Sequence, residues 1–145
     1  MNRVYDDGGR SAAGFRGKAG DCVARSIAVA TRLPYKHVYA PLNGQARRER
    51  PTGGRRSSGR NGVFRQTCQR VLESLGWRWV PTMTIGAGCR VHLKAAELPA
   101  GRLIVRCSKH TTAVIDGIIH DTYDPSRNGM HCVYGYFTKG MALEM

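Results

Sequence analysis

Residues 110–123, HTTAVIDGIIHDTY, constrain the fold more than any other stretch. Asp116-Gly117 stands between Ile115 and Ile118, and an Asp-Gly pair flanked by apolar β-formers predicts a two-residue hairpin turn, whose central positions both need positive φ. Counting back from the turn sets the ladder: Val114 opposite Ile119, Ala113 opposite His120, Thr112 opposite Asp121, His110 opposite Tyr123. Side chains alternate across a strand, so His110, Thr112 and Val114 share a face with Ile119, Asp121 and Tyr123. His110 and Asp121 thus become diagonal neighbours, while His120 points the other way. An imidazole beside a carboxylate on a rigid hairpin is the base-and-orienter half of a nucleophilic triad.

The other half is in AGDCVARSIAVAT, residues 19–31. Asp21 reads as an N-cap and Cys22 to Thr31 as a helix, with Val23, Ile27 and Ala30 on its buried side. A cysteine in an Ala-rich helix is ordinary core filling by residue type alone. At a helix N-terminus, however, the macrodipole and the free N–H groups stabilise a thiolate, and the Cys22 N–H can face a developing oxyanion. The charge of Asp21 opposes the thiolate unless its carboxylate is committed to capping. The joint pattern assigns Cys22 as nucleophile, His110 as base and then acid, and Asp121 as orienter. Asp124, ahead of Pro125, competes for the last role. Hairpin parity favours Asp121, whose carboxylate is expected to accept the Nδ1–H bond of His110.

Elsewhere the pattern is of helices followed by strands. Residues 1–20 read as an irregular, Gly-rich extended arm. LPYKHVYAPLNGQ suggests a helix entered at Pro34 and ended or bent at Pro41. GVFRQTCQRVLESLGW is the clearest helix, with Val63, Phe64, Cys68, Val71 and Leu72 on one stripe and Gly76 as its stop. WRWVP, RLIVRC and HCVYGYFTK read as strands, and VHLKAAELP as holding a helical turn. Trp77 and Trp79 fall on one strand face, where a core or groove wall is expected rather than base stacking around Arg78. The fold class expected is α+β, a single domain over residues 1–145 with N-terminal helices packed on a C-terminal antiparallel sheet.

The net charge of +13 points to a polyanionic partner, either nucleic acid or an acidic protein surface. Much of it sits in RRERPTGGRRSSGR, residues 47–60, where Arg47, Arg48, Arg50, Arg55, Arg56 and Arg60 face one acid, Glu49. With its Pro, Gly and Ser content this stretch reads as a mobile loop over about residues 46–61 and as the candidate polyanion-binding element. The alternative is a solvated insertion without a partner. No run of apolar residues is long enough for a membrane span, and no apolar signal segment opens the chain. The expectation is therefore a cytoplasmic protein with no membrane partner, its five cysteines reduced. Cys89, His92, His131 and Cys132 have partial zinc-ligand spacing but lack a second Cys-x-x-Cys pair, so neither a metal nor a cofactor is expected.

The order Cys22, His110, Asp121 resembles that of papain-like cysteine hydrolases, and HTTAVIDGIIHDTYDP resembles the corresponding passage of small bacterial C39-like peptidases. YDDGGRSAAGFRGKAGDC and HDTYDPSRNG also resemble segments of phage and bacterial proteins that begin YDDGGR…GDC and continue to HDT.DPS. The resemblance covers the Cys22 helix and residues 102–137. It implies a papain-like fold and a thiol peptidase, isopeptidase or amidase acting on a protein or peptide. Papain-like enzymes place a Gln or Asn shortly before the cysteine for the oxyanion. Here the long donors nearby are Arg16 and Lys18, so the oxyanion hole is assigned to the Cys22 N–H and Lys18. An acyltransferase on the same scaffold and a non-enzymatic basic nucleic-acid-binding protein are the alternatives.

Overall fold

The computed structural model describes residues 2–15, 20–46, 65–84, 86 and 88–139. The arginine-rich stretch 47–60, Lys18, Val63 and Phe64 lie outside the described residues. In chain order the elements are β1 (Arg3–Tyr5), α1 (Cys22–Thr31), α2 (Tyr35–Ala46), α3 (Arg65–Ser74) and β2 (Trp77–Pro81). A single 3₁₀ turn (Ala95–Glu97) then leads to β3 (Arg102–Cys107), β4 (His110–Ile115), β5 (Ile118–Asp121) and β6 (Val133–Lys139). The six strands form one sheet in the order β1-β5-β4-β3-β6-β2. The class is α+β.

The hairpin has the register read from its turn: Ile115 pairs with Ile118, Val114 with Ile119 and Ala113 with His120. Asp116 and Gly117 take φ of 48° and 79°, which suits the twist of the flanking strands. Asp116 also accepts the Gly101 N–H through Oδ1 at 2.8 Å, tying the turn to the start of β3.

α1 packs one side of the sheet. Ala24, Ile27 and Ala28 are buried with Ile104, Ala113 and Phe137, alongside Val38 and Leu42 of α2 and Val71 and Leu72 of α3. The opposite side carries Leu103, Val105, Val114, Ile119 and Val133 beneath Leu93 and Leu98 of the segment before β3. Small residues on α1 allow the helix to approach the strands closely. Its C-terminus is closed by Arg102, whose Nε and Nη2 donate to the carbonyls of Ala30 and Val29, both at 2.7 Å. Trp79 lies so close to Gly135 that a Cβ there would fall 2.4 Å from its ring, so glycine is required at that position of β6.

Three expectations are corrected. Residues 3–5 are not part of an irregular arm: they add to β5 as a parallel edge strand, which makes the sheet mixed rather than antiparallel. Pro41 does not end the second helix, which runs through it to Ala46. The missing N–H costs one helical bond, and the buried Val38 and Leu42 on either side hold the segment to the core.

The cysteines are not all reduced. Cys89 and Cys132 form a disulfide across 43 residues, which joins the segment before β3 to the start of β6, and Cys22, Cys68 and Cys107 are free. The His92–Cys132 bridge brings these segments together, a pairing that sequence spacing alone does not disclose. Closing a loop of this length constrains the unfolded chain by about 4 kcal/mol in the chain-entropy account. Cys132→Ser should therefore lose up to about 4 kcal/mol in urea unfolding monitored by Trp fluorescence, and a change near zero would show that the bridge is not formed. Among the described residues no helix is long and apolar enough to cross a membrane.

Candidate active site

The end of the sheet at which β4 begins and β5 ends is also where α1 starts, so Cys22, His110 and Asp121 meet there. Asp121 is buried, and its Oδ2 lies 2.8 Å from His110 Nε2 and accepts the Thr112 hydroxyl at 2.6 Å. Its Oδ1 accepts the Thr122 N–H at 2.7 Å and faces Arg25 Nη2 at 3.3 Å. Every lone-pair direction of the carboxylate is thus occupied by a donor. Burial raises the Asp121 pKa, but the bonds from His110 and Thr112 outweigh it and hold the group below the usual carboxylate range.

The diagonal His110–Asp121 relation read from the hairpin is present, with one correction: Nε2 faces the carboxylate, not Nδ1. The Nδ1 edge faces the Tyr123 hydroxyl at 3.1 Å, and Cys22 interacts with the same ring. His110 opens β4, and Lys109 before it has a positive φ of 58°. Burial lowers the His110 pKa, but the bonds to Asp121 and Cys22 reverse this and push it up to about 9.

Cys22 is half-buried at the first position of α1, where its own N–H has no intrahelical acceptor. Burial would raise the thiol. The hydrogen bond and charge of His110, the Thr111 backbone and the nearby Arg25 outweigh it, and the pKa is lowered. The two other free thiols are buried, and burial outweighs the nearby arginine charges and pushes Cys68 and Cys107 up to about 12. A lowered thiol against a raised imidazole describes a thiolate–imidazolium pair that titrates as a unit.

Asp21 holds the N-cap position of α1, but its side chain makes no capping hydrogen bond. The carboxylate is buried and bonds to Arg25 four residues on, to the Tyr35 hydroxyl at 2.8 Å and to Arg10 Nε at 3.5 Å. Arg25 therefore bridges two acids, Asp21 and Asp121, and its positive charge acts on the nearby thiol. Burial disfavours the Arg25 charge, and the two carboxylates more than restore it. This network answers the electrostatic objection to a thiolate next to Asp21, since the acid is neutralised by Arg25 and Arg10 rather than by helix N–H groups. Arg25 and Tyr35 were not singled out in the sequence, although the Asp21/Arg25 spacing of four on a helix was a legible signal. The Ser26 hydroxyl locks α1 to β4 by donating to the Cys22 carbonyl at 2.6 Å and the Thr111 carbonyl at 2.9 Å.

Asp124 is exposed, away from His110, and accepts the Ser126 N–H at 2.9 Å within its own turn. Of the residues weighed for zinc, Cys89 and Cys132 are joined to each other and His131 Nδ1 faces the Pro125 carbonyl at 2.6 Å. Among the described residues no cluster of His, Cys, Asp and Glu could hold a metal ion. A cleft of about 570 Å³ lined by Leu33, Trp77, Arg102 and Lys139 sits at the far end of α1, away from the thiol. No family model, curated protein or solved structure matches the chain.

Proposed function

We propose that this chain is a papain-like thiol hydrolase acting on an amide, isopeptide or ester bond of a protein or peptide. The observation that carries this reading is the line Cys22–His110–Asp121 at the start of a helix, with the thiol lowered and the imidazole raised relative to their ordinary values. In the first step the Cys22 thiolate attacks the carbonyl carbon, and the carbonyl oxygen becomes an oxyanion within reach of the Cys22 N–H. The His110 imidazolium gives its Nδ1 proton to the leaving amine or alcohol as the carbon–heteroatom bond breaks, which leaves a thioester on Cys22. Neutral His110 then takes a proton from water, whose oxygen attacks the thioester and releases the acid and the thiolate. Asp121 holds the ring through Nε2 and stabilises the imidazolium in both steps. An acyltransferase would differ only in the second nucleophile, an amine or alcohol in place of water.

The test is acyl-enzyme formation with p-nitrophenyl acetate, without reductant so that the Cys89–Cys132 bridge is kept. A burst of p-nitrophenolate stoichiometric with protein is expected, with one acetyl group mapped to Cys22 and no burst in Cys22→Ala. Acetylation distributed over lysines and unchanged by Cys22→Ala would contradict the reading.

A further inference from the structure

Cross-strand pairing places Pro81, Gly135, Arg106 and Thr111 in one row across β2, β6, β3 and β4, and Thr111 is the residue after His110. Two residues of this row, Pro81 and Arg106, line a pocket of about 280 Å³ together with Arg65, Trp79, Met83 and Tyr134. It lies just below the ~300–1,000 Å³ of pockets that enclose a drug-sized ligand, so it suits one or two side chains rather than a cofactor.

Its described lining is apolar walls with two guanidiniums, and among the described residues no carboxylate lines it. Met83 and Tyr134 are each 37% exposed, open to a partner. Arg65 is committed to the Trp79 ring, with Cζ 5.1 Å from the ring centroid. Arg106 is half-buried, and no ion pair of the described residues engages it. A half-buried cation without an anion is costly unless a ligand completes it. Nucleic acid is the poorer occupant. Arg65 covers the Trp79 ring while Gly135 and Phe137 pack against it, which leaves no open face for a base to stack on.

We propose that this pocket is a subsite for an acidic residue of a polypeptide held across Cys22, the carboxylate meeting Arg106 and a neighbouring apolar side chain resting on Met83 and Tyr134. It rests on the thiol-hydrolase reading for its purpose, but its binding can be read without catalysis. The probes are the capped dipeptides acetyl-Glu-Leu-amide, acetyl-Gln-Leu-amide and acetyl-Lys-Leu-amide, titrated into isotope-labelled full-length protein. The Trp79 indole and Arg106 Nε–H signals are followed by NMR. The Glu peptide should shift both signals saturably and bind about tenfold more tightly than the Gln peptide, the worth of one charge-assisted bond over a neutral one. Arg106→Gln should erase that difference and Arg106→Glu should favour the Lys peptide. At saturation the Glu peptide should slow alkylation of Cys22. Equal binding of the Glu and Gln peptides, a preference that survives Arg106→Gln, or tight binding that leaves Cys22 alkylation unchanged would each overturn the subsite. Failure of the hydrolase reading would show separately, as a missing acyl-enzyme.

Discussion

Asp121→Asn is expected to leave the chain folded and to slow Cys22 acylation by about 10- to 10⁴-fold, the upper end being set by a serine-protease triad. The reason lies in the donor count. Asp121 receives His110 and Thr112 on one oxygen, and Thr122 and Arg25 on the other. An amide has one oxygen for these two pairs. If its NH₂ faces Thr122 and Arg25, donor meets donor. If it faces His110, Nε2 must become an acceptor, and the ring proton moves to Nδ1, where a base is needed. The carboxylate charge that helps to raise His110 to about 9 is lost in either case. Asp124→Asn should leave acylation unchanged and cost about 1 kcal/mol or less, since its carboxylate closes one exposed turn. Burst kinetics beside urea unfolding of both variants checks this, and an inactive, folded Asp124→Asn with an active Asp121→Asn would place the orienting acid elsewhere.

Asp21→Ala should be the most destabilising single change in the site, by about 3–5 kcal/mol, because it leaves a buried guanidinium without its nearer partner. The side chains of Asp21 and Arg25 are only 2% and 11% exposed. Removal of a simple helix cap costs about 1 kcal/mol, so the midpoint of urea unfolding discriminates between the two roles. Loss of no more than a cap's worth would mean that solvent reaches Arg25 and that the Asp21–Arg25–Asp121 network is not a structural unit.

How much of this was legible depended on whether a residue's role is set locally. The Asp116-Gly117 turn fixes its own geometry, and strand alternation carries that register outward, so the proximity of His110 and Asp121 followed from fourteen consecutive residues. Position alone likewise marked Cys22 as heading a helix. β1 was illegible because its three residues are all exposed, leaving no alternation to read, and because its partner lies more than a hundred residues away. The helical state of Pro41 is a tertiary effect, set by Val38 and Leu42 in the core. The Cys89–Cys132 bridge and the bonds of Asp21 to Tyr35 and Arg10 are long-range pairings with no periodic signature. The ring edge that His110 presents to Asp121 depends on side-chain torsions that strand parity does not determine.

The central claim is that Cys22 and His110 form a thiolate–imidazolium pair, and the pH dependence of Cys22 alkylation tests it most directly. With iodoacetamide and the disulfide intact, Cys22 should be the thiol labelled, since burial holds Cys68 and Cys107 up to about 12. His110 stays charged up to about 9, so the thiolate is favoured from the lowered Cys22 pKa upward. The rate should therefore hold a plateau that extends well below the ~8.5 of a free thiol, change again near 9 as His110 loses its proton, and revert to a free-thiol profile in His110→Gln. A rate that falls about tenfold for each pH unit below ~8.5, and does so equally in His110→Gln, would contradict the account.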